Sequence, residues 1–484
     1  MTAEARGPFV VLGGGPCGLA AAWHLCRLGA RPIVIEREPL VGGLCATHER
    51  DGWRFDLGGH RFVSSDENLS RWLEDVLGDD LLVGERRSVV LHRGRRFRYP
   101  LEAVDLLRNL GPREGAVALA GYLEARARAR LHPPRDASFE DWVVARFGRP
   151  LYDAFFGPYT RKLWGLAPGL ISADWARERI SLLDLGDVLL RLAGLRRTSV
   201  RTYARRYLYP RFGMGQLYRA VAERVVACGG EVRTGSRVIG VETVPERPPT
   251  SARVRAVIVQ GPAGIERIPV GELLSTVPLP QLARMLRGPS SDGPIDAAAR
   301  RLRFRALVFV NLMLARADFS ENTWLYVASG DLTTSRIQEP KRRSPWMAPP
   351  GRTSLMLEVP CDEGDATWTA ADDDLRHRAL GELRSLGFRV DDVIGASVTR
   401  VAHGYPVYHL GYERDRRDLL QEVARFENVR TAGRQGLFRY VFMDAAMQMG
   451  TRAAAQMVGG DRASGAIDAI GRSERVIETE ALTA

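Results

Sequence analysis

The segment from Val10 to Glu36 constrains the fold of this chain more than any other part of its sequence. It reads VVLGGGPCGLAAAWHLCRLGARPIVIE. The short apolar run Phe9–Leu12 predicts a buried parallel strand, and the apolar-periodic stretch from about Cys17 to Leu28 predicts a helix. Gly29 is expected to end that helix, and a second strand is predicted over Pro32–Ile35. The segment is therefore predicted to form a βαβ unit.

Three glycines of this unit, Gly13, Gly15 and Gly18, have the spacing G-x-G-x-x-G. The first allows a tight turn, the second lets a pyrophosphate approach the backbone, and the third lets helix and strand pack closely. The helix N-terminus offers free N–H groups and a positive dipole end to the phosphates. Glu36 follows Gly18 by 18 residues, where an acid can bind ribose hydroxyls. The pattern predicts dinucleotide binding, and the alternative is a glycine-rich turn in another kind of α/β protein.

The length of the chain, 484 residues, predicts two or three domains. No apolar run reaches the ~18–20 residues of a membrane span, and no signal-peptide core precedes the first predicted strand. We therefore expect a soluble, cytoplasmic protein. The five cysteines form no C-x-x-C pair, so we expect neither a metal site nor a disulfide framework.

The net charge of +11 is carried almost entirely by arginine. Lys162 and Lys341 are the only lysines, so 67 of the 69 basic residues are arginines. This bias is typical of a GC-rich genome, and an anionic ligand would also favour arginine because its guanidinium binds phosphate or carboxylate bidentately. The basic residues form no motif with interleaved aromatic residues, so we expect no nucleic-acid partner.

The pattern of the chain changes from about residue 89 to residue 205, where helices dominate. A mostly helical insertion is predicted there, and α/β pattern returns from residue 206. The polar stretch after Gly459 is predicted to be loosely ordered. The insertion is predicted to contain the helices Ala103–Leu110, Gly115–Leu131, Phe139–Phe147 and Leu182–Leu195.

Five stretches together match one superfamily. They are the opening βαβ unit, GGLCAT, DLGGHRF, the pair GSRV and STVP, and GRQGLFRYVFMDAAMQMGTRAA. In this order, over roughly residues 8–458, the chain resembles the flavin-dependent amine oxidase, protoporphyrinogen oxidase and UDP-galactopyranose mutase superfamily. The resemblance implies FAD as cofactor and an α/β fold. It implies a Rossmann-like FAD domain of the glutathione-reductase type, built from discontinuous segments, with an inserted substrate domain of helices and sheet.

The resemblance also divides the chain into segments of two domains. Residues 1–88, 206–280 and 403–460 are predicted to form the FAD-binding domain. Residues 89–205 and 281–402 are predicted to form the substrate domain, and residues 461–484 a flexible tail.

The cofactor residues implied by the resemblance come from all three FAD-domain segments. The first glycines and Glu36 would hold the ADP half, Val238 would present its backbone to the adenine, and Asp444 would face the isoalloxazine end. The full set is Gly13, Gly15, Pro16, Cys17, Gly18, Glu36, Arg37, Gly42, Gly43, Leu44, Gly59, His60, Val238, Gly433, Arg434, Asp444 and Met449.

Several further stretches resemble the mutase branch. YTRKLWGLAP would supply a ring platform, TSRIQEPKRR a diphosphate-binding arginine, and GYPVYHLGYERDRRDLL with GRQGLFRY two tyrosines near the diphosphate. The alternative for Trp164 is a buried ring with a packing role, and the alternative for Arg179 and Arg336 is a surface charge. The alternative for His60 is a packed, hydrogen-bonded histidine. The candidate catalytic residues are His60, Trp164, Arg179, Arg336, Tyr405 and Tyr440.

Two departures favour an oxidoreductase over a mutase. Mutases carry a second histidine where this chain has Val63, and an acid where it has Phe442. The first hypothesis is therefore an oxidoreductase that transfers a hydride from a polar, sugar-containing or anionic small molecule to flavin N5. The alternatives are a redox-neutral sugar-nucleotide mutase and a non-catalytic FAD-binding protein. Direct amine oxidation would require Lys162 or Lys341 near the flavin.

Overall fold

The structure is a computed structural model that describes residues 7–99, 103–132, 136–180, 206–245, 252–288, 293–461 and 464–473. Within these ranges the chain is a mixed α/β protein with one parallel sheet, one large mixed sheet and a layer of helices. The predicted helix Leu182–Leu195 lies outside the described residues.

A five-stranded parallel sheet is formed by short strands from distant parts of the chain. Because both faces of the sheet are covered there, the strands Phe9–Leu12 and Pro32–Ile35 are apolar throughout. One face packs against the helices Pro16–Arg27, Gly215–Ala227 and Met443–Gly459. The strand order is Val429–Thr431, Glu272–Ser275, Phe9–Leu12, Pro32–Ile35 and Glu231–Arg233.

The other face of the parallel sheet is covered by a three-stranded antiparallel sheet and by helices. Val10, Leu12 and Ile35 pack there against Val257 and Val259. The antiparallel strands are Arg237–Pro245, Ala252–Gly261 and Gly264–Pro269, and the helices are Leu279–Arg287, Pro294–Arg301 and Tyr412–Ala424.

A seven-stranded sheet forms the second half of the molecule. Its strands are antiparallel except for the parallel pair Ser88–His92 and Trp324–Val327. One face packs against the helix Asp372–Ser385, and the other face carries Tyr326 and Arg336, which line a cavity. The strand order is Val393–Pro406, Phe304–Leu314, Thr353–Cys361, Arg336–Gln338, Trp324–Val327, Ser88–His92 and Arg95–Arg98.

A layer of helices lies over the cavity and has its own aromatic core. The helix Phe139–Phe147 begins with a capping box between Ser138 and Asp141, which satisfies N–H groups at its first turn. The other helices of this layer are Ala103–Leu110, Pro112–Leu131, Arg149–Leu151, the π-helix Tyr152–Phe156, Gly157–Trp164 and Ala173–Arg179.

The remaining elements connect these layers. The helix Glu67–Leu77 is capped by Asp66, whose carboxylate accepts from the N–H groups of Asn68 and Leu69. The other elements are the ribbons Thr47–Arg50 with Trp53–Asp56 and Leu81–Glu85 with Arg206–Pro210, the short helix Gly433–Gly436, and the 3-10 turns Gly43–Cys45, Gly78–Asp80, Pro168–Leu170, Pro340–Arg342 and Pro345–Met347.

The expectation of a loosely ordered tail is wrong for residues 464–473. This stretch forms the helix Ser464–Ser473, whose Ile467 is buried in the core beside the parallel sheet. Its Asp468 is buried as well and forms ion pairs with Arg416 and Arg439. The Asp468 carboxylate is therefore paired inside the protein, whereas Arg472, which also pairs with it, stays exposed.

Candidate functional site

The glycine motif brings helix, strand and loop into very close contact. A Cβ atom on Gly18 would lie 1.9 Å from the carbonyl oxygen of Gly13, and Gly13 itself has φ +104°. The helix Pro16–Arg27 begins at Gly15 without a side-chain cap. The N–H groups of its first turn, including that of Cys17, are therefore available to an anion.

Glu36 lies buried at the end of the second strand, close to this turn. Its Oε2 accepts from the Gly14 N–H at 2.6 Å, and its Oε1 accepts from the Glu38 N–H at 2.8 Å. Burial raises the pKa of this carboxyl, although both hydrogen bonds act in the opposite direction. The Glu36 carbonyl accepts from Ser236, two residues before Val238, so the segments expected to hold the ADP half do converge.

Further glycines bring other backbone segments close to this turn, and we call Gly13, Gly15, Gly43 and Gly433 the glycine cleft. A Cβ atom on Gly43 would lie 3.2 Å from the Cα atom of Gly15, and one on Gly433 would lie 3.0 Å from the Cβ atom of Cys17. Gly42, at φ +108°, donates to the carbonyl of Gly14. Backbone surfaces and an open helix N-terminus fit the pyrophosphate of a dinucleotide.

The helix Met443–Gly459 packs directly on the first helix. A Cβ atom on Gly450 would lie 2.0 Å from the carbonyl oxygen of Cys17. Asp444 lies in its first turn and lines the cavity, and its Oδ1 atom is buried with no hydrogen-bond partner among the described residues. Burial raises the pKa of Asp444 to about 6.

A cavity of about 370 Å³ lies between the part of the molecule that carries the glycine cleft and the seven-stranded sheet. One side is lined by Leu44, Gly59, His60, Arg434 and Asp444, which come from the segments predicted to form the FAD-binding domain. Aromatic rings form most of the opposite side, and the rings that the sequence analysis did not single out are Tyr99, Phe139, Phe155, Phe156, Tyr159, Trp175, Trp324 and Tyr326. Val63 and Phe442, the two departures from the mutase pattern, also line the cavity.

Arg336 faces the cavity but is already paired with a carboxylate. Its Nη2 lies 2.5 Å from Oε2 of Glu358, and its Nε donates to the same oxygen at 3.1 Å. Tyr405 donates its hydroxyl to Oε1 of Glu358 at 3.0 Å. Glu358 is 1% exposed. The three side chains therefore form one buried unit, in which the arginine charge is neutralised before any ligand binds.

The ring of Tyr440 connects this unit to the glycine cleft side. It stacks on Tyr405 with 5.6 Å between ring centroids, and Arg434 lies 4.2 Å above its centroid. Arg434 also donates to the carbonyl of Val441. Tyr405, Tyr440, Arg336 and Arg434 of the expected site thus lie together.

His60 lines the cavity, but it is not a neutral-pH acid. Burial and the positive charges of Arg434, Arg343 and Arg336 lower its pKa to about 3. Its Nδ1 atom has no hydrogen-bond partner among the described residues. The imidazole is therefore neutral at physiological pH, and the catalytic role of His60 stays a prediction.

Replacing His60 by glutamine is expected to make the protein less sensitive to acid. In the unfolded chain the histidine titrates near about pH 6.5, so below that pH the unfolded state binds a proton that the folded state refuses. The wild type should then lose up to ~1.4 kcal/mol of unfolding free energy per pH unit through this residue. Denaturant unfolding at several pH values measures the difference in slope.

The matched control for this measurement is His377→Gln, because His377 lies exposed on the helix Asp372–Ser385. Its pH slope should equal that of the wild type. Equal slopes for the wild type and His60→Gln would contradict the assignment of a neutral, buried imidazole.

Trp164, Met449 and Arg37 are predicted site residues that do not line the cavity. Trp164 is 2% exposed and packs edge-to-face on Trp175, with 4.6 Å between ring centroids, so Trp175 and not Trp164 faces the ligand space. Met449 is buried in the core, where a Cβ atom on Gly471 would lie 2.7 Å from its Cε atom. Arg37 is half-exposed and pairs with Glu38.

Arg179 ends the helix Ala173–Arg179, and its side chain lies outside the described part of the structure. Neither lysine lines the cavity. Lys162 donates to the carbonyls of Val327 and Thr334 at 2.9 and 3.0 Å, and Lys341 donates to the carbonyl of Ala317. A lysine-assisted amine oxidation therefore has no support in the site.

The most informative residue that sequence reasoning missed is Glu358. It is a single acid inside the apolar run SLMLEVP of the strand Thr353–Cys361. A lone carboxylate in a buried strand must be paired, and that pattern could have identified it. Trp175 carried no comparable signal, because its position depends on how the helical layer folds over the sheet.

Comparison with known proteins places the chain in a class of flavoproteins. The family model described as flavin containing amine oxidoreductase matches residues 16–458. Chloroplastic protoporphyrinogen oxidase 1 of Spinacia oleracea is 23% identical over 410 residues, which cover 78% of this chain and 70% of the relative. Coproporphyrinogen III oxidase of Propionibacterium freudenreichii subsp. freudenreichii is 38% identical over 175 residues, which cover 34% of this chain and 33% of the relative.

Among solved structures, the crystal structure of reduced UDP-galactopyranose mutase has the same overall fold. The TM-score is 0.81 at 22% identity, and the match covers 99% of this chain and 100% of that one. The predicted fold class and superfamily are confirmed.

The chain belongs to the flavin containing amine oxidoreductase family. It is an FAD-dependent enzyme. The glycine cleft described above fits that cofactor. Over the described residues, no helix combines the length and apolar character needed to cross a membrane. In the same part of the chain, no group of three or more His, Cys, Asp or Glu residues could hold a metal ion.

Proposed function

We propose that this enzyme is an oxidoreductase that removes a hydride from an anionic small molecule with a largely apolar body. One observation carries the proposal: a single cavity borders His60 and Asp444 on one side and the aromatic wall on the other. The bound flavin supplies the hydride acceptor. The chain itself binds the substrate, orients it against the cofactor end of the cavity and excludes water.

The lining of the cavity supports this substrate class. Aromatic and aliphatic side chains make up most of it, which favours an apolar body. Three arginines, Arg61, Arg336 and Arg434, face the cavity with only two carboxylates, Glu358 and Asp444. The surplus positive charge favours an acidic group on the ligand, with or without a sugar. Two relatives are named as oxidases of porphyrinogens, so porphyrinogens are the first compounds to test.

The test uses the purified enzyme with bound FAD under anaerobic conditions. Protoporphyrinogen, coproporphyrinogen, putrescine and a UDP-sugar are added separately, and the visible absorbance of oxidised flavin is followed. An anionic substrate with an apolar body is expected to bleach the flavin, whereas putrescine is not. Turnover of the UDP-sugar only after reduction with dithionite, without consumption of an electron acceptor, would overturn the proposal in favour of a redox-neutral mutase.

We further propose that Asp444 accepts the proton that the substrate loses with the hydride. Its carboxyl lines the cavity, its Oδ1 atom is buried without a hydrogen-bond partner among the described residues, and its pKa of about 6 lies close to the working pH. The rate of flavin reduction should rise with pH through about 6, because only the ionised carboxylate accepts a proton.

Asp444→Asn is expected to lose this limb of the pH profile and to slow flavin reduction by about 10²–10⁴-fold. His60→Gln is the control, because a histidine with a pKa of about 3 does not titrate there. A limb near pH 6 that persists in Asp444→Asn and disappears in His60→Gln would reverse the two roles.

A further inference from the structure

Two of the five cysteines lie together on the outer side of the parallel sheet. Cys26 lies in the last turn of the helix Pro16–Arg27, and Cys228 directly follows the helix Gly215–Ala227. Sγ of Cys26 lies 3.8 Å from the carbonyl oxygen of Val225, three residues before Cys228, and the pKa of the Cys26 thiol is raised by burial and by the Cys228 thiol beside it. Cys228 is exposed and Cys26 is half-buried, so this thiol pair is open to a small solute.

The helices that carry the thiols are held in place independently of the cysteines. The guanidinium of Arg224 lies 6.0 Å from the ring centroid of Trp23. The two helices lead into the strands Pro32–Ile35 and Glu231–Arg233, which pair directly in the parallel sheet. The two cysteines are therefore kept close by the packing of their helices and the pairing of the strands that follow.

The other three cysteines, Cys17, Cys45 and Cys361, are buried, whereas Cys228 is exposed. Burial raises the pKa of these three thiols, and it raises that of Cys26 as well. A buried, protonated thiol reacts slowly with oxidants. Oxidation is therefore directed to the one exposed cysteine.

We propose that Cys26 and Cys228 form a reversible intrachain disulfide when the protein meets a peroxide. One oxygen of the peroxide is transferred to the Cys228 sulfur, which becomes a sulfenic acid, and the other oxygen leaves as water. The sulfur of Cys26 then attacks the Cys228 sulfur, the S–S bond forms, and a second water leaves. Two thiols lose two electrons and two protons in total, and hydrogen peroxide is reduced to two waters. A dithiol reductant reverses the reaction by exchange.

The position of the disulfide predicts its effect. The bond would connect residues 202 positions apart, which restricts the unfolded chain and raises the thermal midpoint. The first helix begins at the glycine cleft and ends at Cys26, so the thiol pair lies at the opposite end of that helix from the cofactor. Oxidation is therefore expected to stabilise the protein without changing FAD content or turnover.

The test treats the full-length, FAD-loaded protein with hydrogen peroxide. Titration in denaturant should find five free thiols before treatment and three afterwards, and dithiothreitol should restore five. Without reduction, trypsin should release residues 7–27 linked to residues 225–233. The thermal midpoint should rise by a few degrees in the wild type only.

Since residues 7–27 contain both Cys17 and Cys26, single variants assign the bond. Cys26→Ser and Cys228→Ser should each abolish the linked peptide and the shift in midpoint. A linked peptide that persists in Cys26→Ser would assign the bond to Cys17 and overturn the proposal. Cys228 recovered in intermolecular dimers with Cys26 still reduced would overturn it as well.

Discussion

Replacing Gly18 by alanine is expected to lower FAD loading strongly while most of the fold remains. The added methyl would lie 1.9 Å from the carbonyl oxygen of Gly13, and a backbone carbonyl in a tight turn cannot rotate away as a side chain can. The helix must then move away from the turn, which displaces the first-turn N–H groups proposed to bind the pyrophosphate. Overpacking of this kind costs ~1–3 kcal/mol or more, so FAD affinity should fall at least ~10–100-fold.

Gly381→Ala is the matched control for this experiment. Gly381 lies in the helix Asp372–Ser385, and a Cβ atom there would meet no other atom within 4 Å. Alanine should stabilise that helix by ~0.5–1 kcal/mol and leave FAD content unchanged. The ratio of flavin absorbance to protein absorbance measures loading, and a Gly18→Ala protein with full flavin content would refute the close contact.

Arg336→Leu is expected to lower the free energy of unfolding by ~3–5 kcal/mol and to eliminate turnover. The substitution leaves the Glu358 carboxylate buried with only the Tyr405 hydroxyl as a hydrogen-bond donor, and a buried charge without its counter-charge is strongly destabilising. The double variant Arg336→Leu/Glu358→Leu should recover much of that loss, because no unpaired charge remains. Denaturant unfolding of the wild type, of Arg336→Leu, of Glu358→Leu and of the double variant gives the coupling free energy between the two residues.

A surface ion pair gives the comparison for this cycle. Arg267 pairs with Glu242 on the exposed face of the three-stranded sheet, and Arg267→Leu should leave the unfolding midpoint unchanged because solvent screens the pair. If Arg336→Leu were equally harmless, Glu358 would have to find a new partner or take up a proton, and the buried unit would not have the role assigned to it.

The parts of the fold that depend on local pattern could be predicted from the sequence. The strands Phe9–Leu12 and Pro32–Ile35 lie at the predicted residues, and the first helix differs by one residue at each end. Apolar periodicity and glycine placement within 30 residues suffice for such a unit. Side-chain caps are harder to predict, because both Ser and Asp can cap a helix: Ser64, Ser65 and Asp66 all precede the helix Glu67–Leu77, and Asp66 supplies its cap.

The chemistry of the cavity depends on contacts between distant residues, and these could not be predicted. His60 is neutral because burial and the nearby charges of Arg434 and Arg343 lower its pKa, and nothing near His60 in the sequence indicates this. Arg336 resembles an anion-binding residue until Glu358, 22 positions away, is seen to neutralise it. Trp164 and Trp175 are both tryptophans of the helical layer, and only the packing of that layer decides which one faces the ligand.

The glycine cleft takes one wall from Gly13 and Gly15 and another from Gly433, and Gly433 lies 415 positions after Gly18. On the ribosome the first βαβ unit is therefore synthesised long before the strand Val429–Thr431 and the helix that packs on Cys17. Chains that stop before this region lack part of the glycine cleft, however well their first residues fold. Flavin colour in a preparation thus reports that translation has passed this region and that the two distant segments have met.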